Sequence, residues 1–254
     1  LRKVNVGSIS YDVALKLIDP TGLIFTLDSA TETFSTTEVP GETWVKTTME
    51  QVDIDAEKFQ KVEDYAFREG QNTQGLVVVR HGSIVFERYA KGSDQDSTAT
   101  SWSTAKSFTS ALAGIAIEKG FITSVDTSAA EFIREWAEDE RKNITIKDLL
   151  LMSSGLSEVG DDGTSMYIGV KNESGQYNAV DNVLFSIDRT VNPERARWLG
   201  AEYNWNYSNA DTQIIGESIE RSTGKSLRDF ARENLFSKIG ISTVWWTDKF
   251  SNYM

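Results

Sequence analysis

A short hairpin ahead of an otherwise helical chain is the feature that most constrains the fold. Two apolar runs, Leu76–Val79 and Ile84–Phe86, flank a turn at His81-Gly82-Ser83 and predict a pair of antiparallel strands. Because a lone two-stranded hairpin is only marginally stable in water, these strands must join a larger sheet. From Ser103 onward, however, the residue patterns are those of helices and loops. The predicted order is therefore strands followed by helices, and the sheet that starts near the N-terminus does not resume later in the chain.

Further elements are placed by their periodicity. Near the N-terminus, β-like runs extend from Tyr11 to Ile18 and from Leu23 to Leu27. The helix that begins at Ser103 is apolar nearly all round, which predicts that it is buried. Residues 157–200 are rich in Gly, Asp, Asn and Ser and predict a long loop region, which in a compact domain usually serves a function. Other helices are predicted over 53–69, 128–138, 145–152, 210–222 and 227–236.

Composition and charge exclude several kinds of function. The net charge of -12 would repel nucleic acid, so we expect no nucleic-acid partner. The chain has no cysteine, which excludes disulfides and thiol catalysis, and no apolar run of about 18 residues, so we expect no membrane span. Because the chain opens at Leu1 rather than at a methionine, a processed or engineered start is expected. We favour a periplasmic or secreted location over a cytoplasmic one.

The motif Ser103-Thr104-Ala105-Lys106 supplies a nucleophile and a base. A serine hydroxyl attacks a carbonyl carbon readily only when a base takes its proton. Histidine usually does this, but the one histidine, His81, lies in the predicted hairpin turn, so we set a Ser-His-Asp triad aside. Lys106 follows Ser103 by three residues, which on a helix places the amine and the hydroxyl on one face. To act as a base the amine must be neutral, and burial has to lower its pKa because a helix dipole contributes only about 0.3–1 kcal/mol.

A second motif, Tyr207-Ser208-Asn209, adds a proton carrier and an amide. A tyrosine beside a lysine can pass a proton to a leaving group, and an asparagine amide can hold the lysine or bind a substrate carbonyl. The residues alone also allow a simpler interpretation, in which Asn209 caps a helix and Tyr207 is a core aromatic. Another Ser-x-x-Lys match, Ser222 to Lys225, ends a predicted helix at a glycine, so we interpret it as structural.

Together with these motifs, three further segments resemble the penicillin-recognising serine hydrolases. The segments are Gly75–Gly82, Ile146–Leu156 and Gly224–Lys249. The family includes class C β-lactamases, D-alanyl-D-alanine peptidases, esterases and 6-aminohexanoate-dimer hydrolases. The resemblance implies an α+β, β-lactamase/transpeptidase-like fold, with an antiparallel sheet flanked by helices and an all-helical lobe. The late strands of that sheet would not be in this chain. Residues 1–100 would then form an N-terminal extension and the first strands, and residues 101–254 the nucleophile helix and the helical lobe.

The resemblance also implies a role for each residue of the two motifs. Ser103 would be the acylated nucleophile, Lys106 its base, Tyr207 the proton relay, and Asn209 a ligand of Lys106 or of the substrate. The backbone N–H of Ser103 would form half of the oxyanion hole. This chemistry cleaves a small ester or amide through an acyl-enzyme and uses no cofactor and no metal.

Two alternatives to this function stay open. One is a β-lactamase or D-Ala-D-Ala peptidase, and the other is a non-catalytic binding or regulatory module on the same fold. Tyr167, Tyr177 and Trp198, all in the predicted loop region, are candidates for shaping an apolar substrate pocket. Anchoring of the loop itself would explain these three aromatic residues equally well.

The third motif of the family has no counterpart after Asn209. In the family it is Lys-Thr-Gly or a variant, on a late strand that completes the sheet. The nearest match here, Lys46-Thr47-Thr48, precedes the nucleophile and lacks the glycine. We therefore expect this chain to be a portion of a longer hydrolase, with a C-terminal piece that is missing or lies on another polypeptide.

Overall fold

The computed structural model describes residues 43–157, 181–192, 205–242 and 245, and the backbone of four short strands near the N-terminus. The chain divides into two compact units, Leu1–Ala99 and Thr100–Met254, which are considered separately below. In the described parts of both units, no helix combines the length and the apolar character that a bilayer crossing would need.

The first unit opens with two small antiparallel ladders. Strand β1 (Arg2–Val6) pairs with β2 (Ile9–Val13), and β3 (Leu17–Ile18) pairs with β4 (Ile24–Phe25). The predicted run from Tyr11 to Ile18 is thus divided between β2 and β3.

The predicted hairpin is present and is confirmed by its turn. Strands β5 (Gly75–Arg80) and β6 (Ser83–Tyr89) are antiparallel and are joined by His81 and Gly82. These two residues have φ values of 51° and 80°, and a type I′ turn requires a positive φ at both positions. Among the strands that the structure describes, none pairs with this hairpin, although Lys46 forms an isolated parallel bridge to Ile84.

Helix α1 (Ala56–Ala66) packs against the hairpin. It begins where the carboxylate of Asp55 accepts a hydrogen bond from the N–H of Lys58 at 3.0 Å, and this cap makes it shorter than the helix predicted over 53–69. The rings of Phe59 and Phe86 lie with their centroids 4.9 Å apart, which joins the helix to β6.

In its described part, the second unit is built from helices. A 3-10 turn at Trp102–Thr104 leads into α2 (Ala105–Glu118). The continuous helix predicted over 128–138 is replaced by separate 3-10 turns, Ala129–Glu131 and Arg134–Trp136. The remaining α-helices are α3 (Ile146–Leu150), α4 (Asn182–Ile187), α5 (Asn209–Thr223) and α6 (Leu227–Asn234).

Helix α4 lies inside the region predicted to be a loop. It has six residues, too few for an apolar periodicity to show in the sequence. Its start is set locally, because the carboxylate of Asp181 accepts a hydrogen bond from the N–H of Leu184 at 2.9 Å.

Helix α5 is the centre of the second unit and contacts α2, α3, α4 and α6. Its Ile214 and Ile219 are fully buried, as is Leu112 of α2. Burial of each such side chain contributes about 1.5–3 kcal/mol to the free energy of folding. The buried indole of Trp136 donates a hydrogen bond to the carbonyl of Ile187 at 2.8 Å, so its polar atom is satisfied.

The prediction that the helix after Ser103 is buried holds for only part of its surface. Within α2 only Leu112, Ala113 and Ala116 are buried, and Ala111 and Gly114 are exposed. Alanine and glycine count as apolar, but they carry little side-chain area to remove from water. An all-apolar pattern rich in small residues therefore does not require burial on every side.

Candidate active site

Ser103 and Lys106 lie at the N-terminal end of α2, where their side chains meet. Ser103 is exposed in the 3-10 turn, and Lys106 is half-buried in the first turn of the α-helix. The Nζ atom of Lys106 donates a hydrogen bond to Oγ of Ser103 at 3.2 Å. The three-residue spacing thus brings the amine and the hydroxyl together, as expected for two residues one helical turn apart.

Tyr207 reaches the same oxygen atom from a distant part of the chain. Its phenol oxygen is hydrogen-bonded to Oγ of Ser103, 104 residues away in sequence. The Nζ atom of Lys106 lies 4.9 Å from the centroid of the Tyr207 ring. Because α2 packs against α5, a residue just before α5 can contact the start of α2. Tyr207 is 38% exposed, so it is not the core aromatic of the simpler interpretation.

The pKa of the Tyr207 phenol lies below its usual range. The hydrogen-bonding interaction with Lys106 is the largest cause and the hydrogen bond to Ser103 the second, while desolvation acts in the opposite direction. An ammonium group beside the phenol stabilises the phenolate form. A phenolate in contact with a serine hydroxyl can accept the hydroxyl proton.

Burial at Lys106 is only partial. The sequence predicted a dry environment created by an all-apolar helix, whereas the described residues of α2 leave Lys106 half-buried. Its Nζ atom contacts both the hydroxyl of Ser103 and the ring of Tyr207, and its predicted role as the base stays a prediction.

The start of α5 sets the position of Tyr207 and Asn209. The hydroxyl of Ser208 accepts a hydrogen bond from the N–H of Asp211 at 3.0 Å, so Ser208 is the N-cap residue and Asn209 is the first residue of the helix. The interpretation of Asn209 as the cap is therefore wrong. Asn209 is half-buried, and its predicted contact with Lys106 or substrate stays a prediction.

Two exposed tryptophans beside these residues were missed by the sequence reasoning. Trp102, directly before Ser103, is 74% exposed and has a φ of 45°. Trp205 is 66% exposed, and its ring centroid lies 6.1 Å from that of Tyr207. A left-handed backbone costs about 1–2 kcal/mol for a residue with a Cβ atom. The adjacency of each tryptophan to a motif was the signal in the sequence that could have indicated them.

The second Ser-x-x-Lys match is structural, as predicted. Gly224 ends α5 with a φ of 67°, the left-handed conformation typical of a residue just after a helix. The hydroxyl of Ser222 donates to the carbonyl of Ile219 at 3.1 Å, and Lys225 forms an ion pair with Glu233.

Of the other residues singled out from the sequence, the structure describes Lys46. Tyr167, Tyr177 and Trp198, the candidates for an apolar pocket, lie outside the described residues. Lys46, in the nearest match to the third motif, forms an ion pair with Glu87 of β6 at 2.8 Å within the first unit.

The chain is similar to one protein family and to several solved structures. The family model described as Beta-lactamase matches residues 60–251, whereas no curated protein matches the chain by sequence. A proposed 6-aminohexanoate-dimer hydrolase from Bacillus anthracis has a TM-score of 0.64 at 18% identity, over 85% of this chain and 57% of its own. A proposed β-lactamase from Bacteroides dorei has a TM-score of 0.57 at 20% identity, over 74% of this chain and 52% of its own. EstCE1, a hydrolase with promiscuous acyltransferase activity, has a TM-score of 0.53 at 20% identity, over 78% of this chain and 55% of its own.

At these identities the similar structures show the fold alone. They and the family model confirm the predicted α+β, β-lactamase/transpeptidase-like fold class. The chain spans between 52% and 57% of the length of these three proteins. The expected C-terminal piece on another polypeptide finds no support in these similarities.

Proposed function

This chain belongs to the beta-lactamase family, and on that premise we propose that it is a serine hydrolase acting through an acyl-enzyme on Ser103. One observation carries the proposal. The Nζ atom of Lys106 and the phenol oxygen of Tyr207 both bind Oγ of Ser103. A nucleophile with a cation and an acidified phenol on the same oxygen has the arrangement that nucleophilic catalysis needs.

The phenol of Tyr207 takes the proton of Ser103 in this mechanism. Its lowered pKa increases the fraction of phenolate at a given pH, and Lys106 is the main cause of that lowering. Oγ of Ser103 then forms a bond to the carbonyl carbon, and Tyr207 returns the proton to the leaving group as the ester or amide bond breaks. This order differs from the predicted one, in which Lys106 took the proton and Tyr207 relayed it.

The N-terminal end of α2 supplies the groups that stabilise the negative charge of the intermediate. The first backbone N–H groups of a helix have no acceptor within the helix, and Ser103 lies in the turn that leads into α2. The Ser103 N–H would therefore donate to the oxyanion. Loss of one such donor in an enzyme typically raises the barrier by about 2.7–4 kcal/mol.

The substrate is a small ester or amide with an apolar group. Trp102 and Trp205 place exposed aromatic surface next to Ser103 and Tyr207, and large exposed aromatic side chains are a feature of binding surfaces. The similar structures include a proposed 6-aminohexanoate-dimer hydrolase and EstCE1, a hydrolase with acyltransferase activity, and both names are compatible with a hydrolase of this kind.

A fluorophosphonate probe and a p-nitrophenyl ester test this function. We expect the probe to form an adduct on Ser103 and the ester to be turned over, and Ser103→Ala to abolish both. Ser222→Ala is the matched control, because it alters the second Ser-x-x-Lys match and should leave both reactions intact. Absence of an adduct in the purified protein would favour the non-catalytic module, and faster turnover of a chromogenic cephalosporin than of the ester would favour a β-lactamase.

A further inference from the structure

A buried hydrogen-bond network begins at the residue after Tyr207. The hydroxyl of Ser154 donates to Oδ1 of Asp211 at 2.7 Å, and the hydroxyl of Ser208 donates to the same atom at 2.9 Å. The exposed fractions of Ser154, Ser208 and Asp211 are 2%, 4% and 1%. We call these three residues the serine–aspartate clamp. Oδ1 of Asp211 thus accepts two hydrogen bonds from buried hydroxyls, which are the partners that a buried carboxylate needs.

A second tie lies on the other side of Tyr207. The N–H of Asn206 donates to the carbonyl of Met152 at 2.9 Å. Met152 has a φ of 52°, a left-handed backbone conformation that persists only where the surrounding contacts hold it in place. The hydroxyl of Ser154 also accepts a hydrogen bond from the N–H of Leu156 at 3.1 Å, which shapes the same loop.

Tyr207 is therefore held between two residues that are both tied to the loop Met152–Leu156. Tyr207 is 38% exposed, so packing alone does not fix its side chain. Its phenol must nevertheless stay within hydrogen-bonding distance of Ser103, and a misplacement of about 1 Å at a catalytic group can lower the rate by about 100-fold. Fixing the backbone on both sides of the residue meets this requirement.

A comparison of two helix starts shows that the clamp does more than cap α5. Helix α6 begins with the same Ser-x-x-Asp pattern, in which Ser226 accepts from the N–H of Asp229 at 3.1 Å and donates to its carboxylate at 2.9 Å. That pair caps its helix with local contacts between residues three apart. At α5 the carboxylate also binds Ser154, 57 residues away, which a cap does not require.

We propose that Ser154 and Asp211 are positioning residues for catalysis, which hold the phenol of Tyr207 on Oγ of Ser103 through Ser208 and the loop Met152–Leu156. The proposal rests on the proposed hydrolase function and deepens it. Neither residue touches substrate. They act on Tyr207, and their loss should lower kcat while KM changes little.

Kinetics of four variants test the clamp in the purified full chain. We expect Ser154→Ala and Asp211→Ala to lower kcat for a p-nitrophenyl ester, and the rate of fluorophosphonate labelling, by about 10- to 100-fold. Asp211→Asn keeps Oδ1 as an acceptor and should recover most of the activity lost in Asp211→Ala. Asp229→Ala, which removes the matching carboxylate at α6, should lower the Tm without changing kcat.

A titration of the Tyr207 phenol tests the effect of the clamp independently of enzymatic activity. Its ultraviolet absorbance change, taken as the difference from Tyr207→Phe, should move to higher pH in Ser154→Ala, because the phenol leaves Lys106 and Ser103. If Ser154→Ala lowers the Tm as Asp229→Ala does, while kcat and the titration stay unchanged, the clamp is only structural and the proposal is wrong. If the unaltered protein forms no adduct but the titration moves in Ser154→Ala, the clamp stands and the hydrolase function fails.

Discussion

The phenol oxygen of Tyr207 is hydrogen-bonded to Oγ of Ser103 across 104 residues of sequence. This contact joins the start of α2 to the start of α5, the two helices that pack against each other in the second unit. Lys106 binds the same hydroxyl from within α2. The three side chains form one unit, so a change in any of them should alter the reactivity of the other two.

Replacing Tyr207 by phenylalanine should remove the proton acceptor and keep the ring. General-base groups contribute about 10²- to 10⁴-fold to rate, so we expect kcat to fall by about that factor with little change in KM. Steady-state kinetics with a p-nitrophenyl ester measure both constants. Tyr65→Phe, at an exposed position of α1, is the matched control and should leave both unchanged. A fall in kcat of less than about tenfold in Tyr207→Phe would mean that a group other than Tyr207 accepts the proton of Ser103.

The pH dependence of activity should follow the ionisation of Tyr207. Because the phenolate is the active form and its pKa is lowered, kcat/KM should rise with pH through that pKa and level off below the usual range of a tyrosine. In Lys106→Met the main cause of the lowered pKa is removed, so the rise should move to higher pH. A pH–rate profile and an absorbance titration of the phenol measure the shift.

The control for this shift is Lys147→Met, which removes one exposed positive charge from α3. It should leave the profile in place, since Lys147 is not among the causes of the shift at Tyr207. A profile that does not move in Lys106→Met would mean that another group controls the rate.

Glu220 should make the protein less stable at neutral pH than in mild acid. Burial raises the pKa of this carboxyl, although it accepts a hydrogen bond from the N–H of Leu227. A raised pKa means that the folded state binds the proton more tightly, so the stabilisation is present at low pH and is lost as the pH rises through the folded-state pKa. Glu220→Gln keeps an acceptor for Leu227 without the charge. We expect the Tm of Glu220→Gln to be higher than that of the unaltered protein at pH 7, and the Tm values of the two proteins to be equal at low pH.

Glu135 should show the opposite pH dependence. Its carboxylate receives two hydrogen bonds from Arg221, at 2.8 and 3.1 Å, and this interaction lowers its pKa. A lowered pKa gives stabilisation that is present above the unfolded-state pKa and is lost as the pH falls through the folded-state value. Both side chains are partly exposed, so Glu135→Gln should lower the free energy of unfolding by only about 0.2–1 kcal/mol at pH 7. Urea unfolding at several pH values should show this difference disappearing in acid, and a difference that grows in acid would contradict it.

The local parts of the site could be predicted from the sequence, and the long-range parts could not. The meeting of Ser103 and Lys106 follows from helical spacing alone. The contact between Ser103 and Tyr207 needed the family resemblance, because spacing does not report a contact across 104 residues. No pattern in the sequence indicated the hydrogen bond between Ser154 and Asp211, since serine and aspartate are usually exposed and only the tertiary fold buries them here.

The fold shows the same division. The hairpin turn at His81 and Gly82 was predicted because two short apolar runs flank it, a pattern that is local in the sequence. The burial of α2 was overestimated because small residues such as Ala111 are apolar without being buried. The left-handed conformation of Trp102 could not be predicted, since bulky residues rarely adopt it.

Trp102 offers a test that separates backbone strain from contact with the substrate. Trp102→Ala keeps a Cβ atom in the left-handed conformation, whereas Trp102→Gly relieves that strain, so the glycine variant should be the more stable of the two by about 1 kcal/mol in urea unfolding. Both variants lack the exposed indole beside Ser103. If the ring binds an apolar acyl group, both should raise KM more for a p-nitrophenyl hexanoate than for the acetate, and to the same extent. Equal effects on the two esters would mean that Trp102 does not contact the acyl group, and equal stability of the two variants would mean that residue 102 carries no strain.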